Sequence, residues 1–481
     1  MSSASRDSAD GAPPVKTVLV VPDGVGVRNF LCTEFAPLAA CSGELVVWHG
    51  LPETIVDEHR TRLGPAVRWH RLEIRREPIV SRVLRSGKFF SQLERFPEPG
   101  AAPLLRNRHR NRVGRWVHRA GRVLGKALAL VPRALPVVER WHGRTTLSRS
   151  GDDPWQSFLA AERPDVVFCT HQRASVAVPP MAAARRLGIP TASFIYSWDN
   201  LPKGRMAVWP DHYLVWSEKM AADLRRYYPE ATACQVHVVG TPQFEPYFDD
   251  ALLVDREYFC ATLGLDPGRP IVLFSGDDAS TSPRDPGYLA DLAEAMRGEF
   301  GATGPQLAFR PSPADRSNRY RAVLDQYPEI AVSEPAWSSI GEEGWEQVVP
   351  SPRDLALLAN LARHCAVVVN LGSTMALDFA IVGKPAIYVD YEQPGIDGAW
   401  DWRAADIYRL PHFASVERTD PVLWARSPGE LATQVRRATT DPDALTENRA
   451  AWIAIELVQP VNRASRRCID ALVRIAAVGA S

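Results

Sequence analysis

Residues 366–389 decide the fold: Ala366-Val367-Val368-Val369-Asn370-Leu371-Gly372-Ser373-Thr374-Met375-Ala376-Leu377-Asp378-Phe379-Ala380-Ile381-Val382-Gly383-Lys384-Pro385-Ala386-Ile387-Tyr388-Val389. The apolar runs at its two ends, 366–369 and 386–389, are short and β-branched, as in strands buried on both faces. The segment between them has room for a tight turn at Gly372 and a helix of about two turns. Strand, turn, helix, strand is one βαβ unit. Gly372 would let the backbone come close to a ligand. Ser373 and Thr374 fall at the helix N-terminus, where free amides and the helix dipole attract phosphate. Asp378 lies four residues beyond Thr374 on the same face, within reach of the two hydroxyls of a ribose. These residues also have a purely local reading, in which Ser or Thr caps the helix and Asp378 is solvated.

This stretch resembles the nucleotide-binding segment in the C-terminal domain of GT-B glycosyltransferases. It is also similar to the Ser-Ser-x-x-x-Asp and Lys-Pro segment of CDP-glycerol glycerophosphotransferases, with Ser373, Thr374, Asp378, Lys384 and Pro385 in the matching places. The wider resemblance runs over roughly residues 15–460 as a pattern of strands and loops rather than of identities. It implies an α/β, GT-B architecture: two Rossmann-like domains facing a central cleft, with a C-terminal helix crossing back.

Composition agrees with a chain of that size. At 481 residues and 46% hydrophobic content, two packed domains are expected. The seven cysteines form no CxxC pair and no zinc spacing, as expected of reduced thiols in a cytosol. Residues 1–14 are rich in Ser, Ala, Asp and Gly, which predicts a disordered tail without the apolar core of a signal peptide. No run of about 18 apolar residues predicts a membrane span. The net charge is zero, but residues 1–250 hold 34 Lys+Arg against 25 Asp+Glu. The excess is concentrated in residues 105–149, with 12 Lys+Arg and a single acid, Glu139.

In the N-terminal half, Val18–Val21 reads as the first strand, followed by the glycine-containing loop Pro22-Asp23-Gly24-Val25-Gly26-Val27-Arg28. A lone Gly-x-Gly fits a tight turn as well as a ligand loop, and the full dinucleotide fingerprint is missing. Residues 45–48 form the second strand, and 79–96 an amphipathic helix. Over 106–131, Val113, Trp116, Val117, Val123, Leu124 and Leu128 recur at helical spacing among arginines. Such a helix either lies on an anionic membrane or packs with a solvated basic face; no nucleic-acid-binding motif accompanies it. Asp165–Thr170 is a clear strand ending at His171-Gln172-Arg173. Residues 191–196 form another, running into Ser197-Trp198-Asp199-Asn200-Leu201. Ligands of open α/β sheets bind outside the carboxyl ends of strands, so Asp23, His171 and Asp199 are expected to share one crevice.

In the C-terminal half, strand 271–274 leads into Ser275-Gly276-Asp277-Asp278, a loop suited to face a phosphate or the cleft. Strand 306–309 ends at Arg310, whose guanidinium could fork onto a diphosphate. CDP-glycerol transferases usually carry a basic residue followed by Pro-His-Pro here, whereas this chain has Ser312 in place of the His. The GT-B resemblance puts the nucleotide base near Trp337 and sugar hydroxyls on Glu392 and Gln393. No Walker A motif occurs, and the one DxD, Asp441-Pro442-Asp443, does not follow a strand.

Together these readings predict domains at 15–245, with a basic helical insertion at about 75–149, and at 255–445, then terminal helices over 446–481. The expected activity is metal-independent transfer of a sugar from a nucleotide-diphosphate donor to a glycan, lipid-linked or small-molecule acceptor. The alternatives are glycerophosphate or polyol-phosphate transfer of the CDP-glycerol type, a nucleotide-sugar 2-epimerase, and a non-catalytic nucleotide-sugar-binding protein. The epimerase's paired acids after the glycine loop are missing. Donor contacts are expected from Gly276, Arg310, Gly372, Ser373, Thr374, Asp378, Glu392 and Gln393, and acceptor-side contacts from Arg28, Trp198, Asp199 and Asn200. Asp23 is the expected base, as the resemblance implies for an inverting enzyme, with His171 as the second choice. No cofactor, metal or nucleic acid is expected, and the place is the cytoplasm, including the inner face of the membrane through residues 106–131.

Overall fold

The computed structural model describes residues 14–98, 111–147, 153–231, 234–279, 281–339, 348–394 and 404–479. Seven strands build the first sheet: β1 (Val15–Val21), β2 (Gly43–His49), β3 (Val67–Arg71), β4 (Val166–Cys169), β5 (Thr191–Phe194), β6 (His212–Val215) and β7 (Gln235–Val238). All neighbours are parallel, in the order β3-β2-β1-β4-β5-β6-β7. The second sheet uses β8 (Ile271–Ser275), β9 (Gln306–Arg310) and β10 (Ala331–Val332). After an antiparallel ribbon of β11 (Trp337–Ser339) and β12 (Val348–Pro350), it continues with β13 (Val367–Asn370), β14 (Ala386–Val389) and β15 (Leu423–Ala425). Its order is β10-β9-β8-β13-β14-β15, again all parallel. Parallel strands must be covered on both faces, which is why β4, β8, β13 and β14 are buried throughout and apolar but for Ser275 and Asn370 at the carboxyl ends of β8 and β13.

Each sheet reverses its strand order once, between β1 and β4 and between β8 and β13. Those switch points open crevices at the carboxyl edges. The deciding stretch builds the second of them: β13, a turn, the seven-residue helix Met375–Ile381, and β14, with Val368 in register with Ala386. Gly383, at φ +77°, closes that helix in a conformation that disfavours any residue with a Cβ.

The chain's last two helices tie the halves together. Helix Thr446–Glu456 lies on the second half and also meets helix Glu218–Tyr227 of the first. Helix Ala464–Gly479 crosses back to pack on helix Phe35–Ser42 and on β1 and β4. Ser465 at its start donates from its amide to Glu245 at 2.6 Å.

Three helices, Ile79–Arg95, Arg112–Leu130 and Leu135–Thr146, are inserted between β3 and β4. The part of the basic segment before residue 111 lies outside the described residues. Helices 79–95 and 112–130 approach closely through glycines: a Cβ at Gly121 would strike Ser86, and one at Gly87 would strike Leu124. Beneath them is a buried ionic cluster. Lys88 pairs with Glu139, Arg205 Nε donates to the same carboxylate at 2.6 Å, and Lys88 Nζ also donates to the Ala207 carbonyl at 3.2 Å. A buried charge is tolerable only when so paired. Arg205, in the loop between β5 and β6, is therefore a strut between the insertion and the first sheet.

Candidate functional site

The first switch point carries Asp23 on the loop after β1 and His171 directly after β4. Asp23 is the N-cap of the turn Gly24–Gly26: one carboxylate oxygen accepts the Val25 amide at 3.1 Å, and the other holds His171 Nδ1 in a short hydrogen bond. His171 sits edge-on to Tyr196, with ring centroids 4.3 Å apart. Both members of the pair are buried, and His171 Nε2 makes no hydrogen bond among the described residues. With Nδ1–H given to a carboxylate, Nε2 keeps its lone pair and can accept a proton. Asp23 has two tasks in one side chain, because the cap uses one oxygen and the imidazole the other.

The glycines after Asp23 have a different role from the ligand approach that Gly-x-Gly suggests. A Cβ at Gly24 would run into the Val348 carbonyl of β12, and one at Gly26 into Thr170. Gly24 thus lets the first half lie directly against the second, and Gly26 lets the turn pack closely on the residue after β4. Immediately afterwards Val27–Leu31 winds as a π-helix, a rare form that occurs frequently at functional sites. It carries Arg28, half-buried, and Asn29, whose buried amide finds no protein partner.

The expected crevice of Asp23, His171 and Asp199 is only partly assembled. Asp199 is turned into its own loop, where Lys203 pairs with it, Ser197 Oγ donates at 2.6 Å and the Asn200 amide at 3.0 Å. Burial alone would raise its carboxyl, but Lys203, His412 and these donors hold it well below the usual range. Asn200 Oδ1 accepts from Gln172 at 2.7 Å, linking this loop to the residue after His171. Trp198 is not an acceptor platform: it is buried in an aromatic cluster with His412, Phe413 and Trp452, at centroid distances of 5.0, 5.6 and 6.0 Å. Its ring joins the two halves instead.

At the second switch point, Gly372 has φ +70°, and its open side is filled by Ile407 and Phe413. The glycine is needed for its backbone angle and for protein packing. The Ser373 amide is taken by Asn370 Oδ1 at 2.8 Å, leaving the Asn370 Nδ2 group buried without a protein partner. Ser373 and Thr374 do precede the helix, yet Thr374 makes no side-chain cap. Asp378 is buried and accepts the Tyr247 hydroxyl at 2.5 Å from the segment joining the sheets. Burial raises its carboxyl, opposed by Arg28 from the first half and by Arg310 from the second. So the charges of two arginines, one from each half, act on the buried Asp378–Tyr247 pair.

Arg310 is held by Asp354, which accepts Nη2 on both oxygens at 2.9 Å; its other terminal nitrogen, Nη1, is buried and unpartnered. The Trp337 indole also donates to Asp354, at 2.6 Å, fixing that ring at the start of β11. Beside it, Gly276 is hemmed by Tyr320 and Asp285. Asp285 accepts from Ser282, Tyr320 and the Asp277 amide, at 2.9, 2.6 and 2.9 Å, and the neighbouring Asp277 carboxyl has a buried oxygen without a partner. Burial, with Asp285 and Asp278 nearby, pushes Asp277 well above the ordinary carboxylate range. Glu392 and Gln393 are held away from this cluster: the Gln393 amide is bound by Asp291, its carbonyl accepts Arg284 at 2.7 Å, and Glu392 lies 3.8 Å from the same arginine.

Asn370, Asp277, Tyr247 and Asn29 go beyond the site residues expected from sequence. Two of them, Asn370 at the end of β13 and Asp277 just past β8, follow the rule that such residues face the crevice, and that rule could have found both. Among the described residues no group of three or more His, Cys, Asp or Glu side chains is placed to hold a metal ion.

Two parallel-sheet domains whose switch points face one another, with the last helix returned to the first domain, are the GT-B fold. Solved structures share it over nearly the whole chain. A candidate UDP-N-acetylglucosamine 2-epimerase from Listeria monocytogenes is 10% identical, with 96% of each chain covered and a TM-score of 0.54. A glycosyltransferase from Rickettsia africae ESF-5 is 11% identical, with 96% of this chain and 98% of that one covered and a TM-score of 0.51. The UDP-GlcNAc 2-epimerase from Methanocaldococcus jannaschii is 11% identical, covering 95% and 99%, with a TM-score of 0.50. At these identities the likeness is one of fold. No family model matches the chain, and no curated protein matches its sequence.

Proposed function

We propose that this chain transfers a glycosyl group from a nucleoside-diphosphate sugar to an acceptor hydroxyl with inversion, and that His171, oriented by Asp23, is the base. The observation that carries this reading is the buried Asp23–His171 pair at the first switch point, with Nε2 unpartnered. In the step, the acceptor oxygen forms a bond to the anomeric carbon while the bond from that carbon to the diphosphate oxygen breaks. The hydroxyl proton passes to His171 Nε2, the imidazolium is stabilised by the Asp23 carboxylate, and the nucleoside diphosphate leaves with the bonding electron pair. Arg28 and Arg310 Nη1 supply positive charge for the departing diphosphate, the role that a metal ion serves in other transferases. This reverses the order expected from sequence, in which Asp23 was the base. An acid that both caps a helix turn and holds an imidazole is the orienting member.

The test is to incubate the purified full chain with UDP-, dTDP- and GDP-sugars and with CDP-glycerol, together with candidate hydroxyl acceptors, and to follow nucleotide release and the product by NMR. Glycoside of inverted anomeric configuration with release of nucleoside diphosphate is expected. Release of CMP from CDP-glycerol assigns the chain to glycerophosphate transfer. Conversion of a nucleotide sugar to its 2-epimer assigns it to that chemistry, and tight nucleotide-sugar binding without turnover makes it a binding protein; any of the three overturns the proposal.

A further inference from the structure

The insertion presents a surface that the chemistry of the cleft does not use. Along helix Arg112–Leu130, one exposed stripe reads Arg112, Trp116, Arg119, Val123, Lys126, Leu130, at steps of four, three, four, three and four residues. Cation and apolar side chain alternate along a single face. The next helix, Leu135–Thr146, exposes the same mixture in Val137, Arg140, Trp141 and Arg144. Trp116 is 56% exposed, Val123 72%, Leu130 85% and Trp141 59%. Arg112, Arg119, Lys126, Arg133, Arg140 and Arg144 are exposed, and none is paired with a carboxylate among the described residues. The only acid of residues 105–149, Glu139, is buried against Lys88. The surface is thus cationic and apolar at once, and among the described residues no carboxylate pairs with the cations of the stripe.

We propose that this two-helix face docks the protein on an anionic lipid bilayer. Indole rings and aliphatic side chains enter the headgroup boundary while guanidiniums on the same stripe reach lipid phosphates. Charge complementarity selects this occupant. A second copy of the chain would bring the same unneutralised positive face. A nucleic-acid backbone would satisfy the arginines but leave Leu130 and Val123 in water. At the end of the stripe a cavity of about 1060 Å3, lined in part by Val80, Arg140, Trp141, Arg144, Met181 and Arg186, continues the same mixture inward. Helix Ile79–Arg95, on which both docking helices pack, also frames the acceptor side. Gln92 donates to the Leu201 carbonyl at 2.6 Å, and Phe89 lies against Gly204, in the loop whose Asn200 holds Gln172 beside His171. A membrane-held acceptor would arrive on that side.

The experiment uses the full chain and needs no turnover, so its outcome is independent of the glycosyl-transfer reading. Partition onto vesicles of phosphatidylcholine alone and of phosphatidylcholine with phosphatidylglycerol is measured by flotation at low and high salt. Binding to the anionic vesicles with a blue shift of tryptophan emission is expected, weakened but not abolished by salt because the apolar contacts persist. The triple variant R112Q/R119Q/K126Q should bind about a hundredfold more weakly, and W116S/W141S should lose the blue shift, both with the wild-type unfolding temperature. Absence of binding to anionic vesicles overturns the proposal, as does binding that neither variant weakens. Concentration-dependent self-association, or oligonucleotide binding, without vesicle partition overturns it in favour of those partners.

Discussion

His171 and Asp23 lie 148 positions apart in the chain and meet because β1 and β4 are neighbours across the switch point. Their roles separate under conservative change. Asn at position 23 keeps an oxygen for the Val25 amide and is as good an N-cap as Asp, but it no longer offers the imidazole a carboxylate. Asp23→Asn should therefore leave the unfolding temperature nearly unchanged and lower turnover by roughly 10²–10⁴-fold. His171→Gln should lower it at least as much, and both variants should bind nucleoside diphosphate like wild type by calorimetry. Turnover of Asp23→Asn within a factor of two of wild type would remove the pair from the mechanism. Arg28 tests the other side of the cleft. From the first half, its charge opposes the effect of burial on the Asp378 carboxyl of the second. Arg28→Ala should weaken a nucleoside diphosphate by about 1–3 kcal/mol, the range for hydrogen bonds to charged groups, and a nucleoside by much less. Equal losses for both ligands would show that Arg28 does not meet phosphate.

At the scale of elements, two helical glycines show how context decides the sign of a substitution. Gly298, near the end of helix Asp285–Phe300, has nothing within 4 Å of an added Cβ. Gly298→Ala should gain up to about 1 kcal/mol from helix propensity. Gly125 lies where helix Arg112–Leu130 crosses Ile79–Arg95, and its Cβ would sit 2.6 Å from Phe90 Cβ and 3.0 Å from the Ser91 amide nitrogen. There Gly125→Ala should lose about 1–3 kcal/mol to overpacking despite the same propensity gain. Urea midpoints of the two variants read both signs; a stabilised Gly125→Ala would mean that the helices are not in this close contact. The same crossing explains why the basic helix shows its charged stripe outward, since its glycines and Val117 and Leu128 are taken by the neighbouring helix.

At the scale of the whole molecule, the two halves are joined by the segment after β7 and by the returning C-terminal helix, and Glu245 sits where these meet. Its carboxylate accepts both the amide and the hydroxyl of Ser465. Burial pushes it up to about 7 even so. A carboxyl raised on folding binds its proton more tightly in the native state. Its contribution to stability is therefore complete below the unfolded value of about 4.3 and is lost as pH rises through about 7. Compared with Glu245→Gln, which stays neutral, the wild type should lose stability from about pH 4 to about pH 7, with the difference levelling off above that. Parallel urea denaturation of the two proteins across that window checks it, and a pH-independent difference would place the charge of Glu245 outside the linkage.

Much of this protein was legible in its residues taken in order. Unbroken β-branched runs such as Val367–Val369 and Ile271–Phe274 announce parallel strands, because only strands covered on both faces need no polar alternation. Their carboxyl ends announce where a ligand would sit, which brought out Asp23, His171 and Arg310. Edge elements were not legible: β3 reads Val-Arg-Trp-His-Arg, half-exposed and held by pairing with β2. Nor were partnerships. Whether Asp378 met a ribose or Tyr247, whether Trp198 met an acceptor or Phe413, and whether Gly24 made way for a ligand or for β12 depended on which distant segments the fold packs together. Local sequence carries the period and propensity that build strands and helices. The partner of a buried polar group is chosen by long-range packing, and only the tertiary structure decides it.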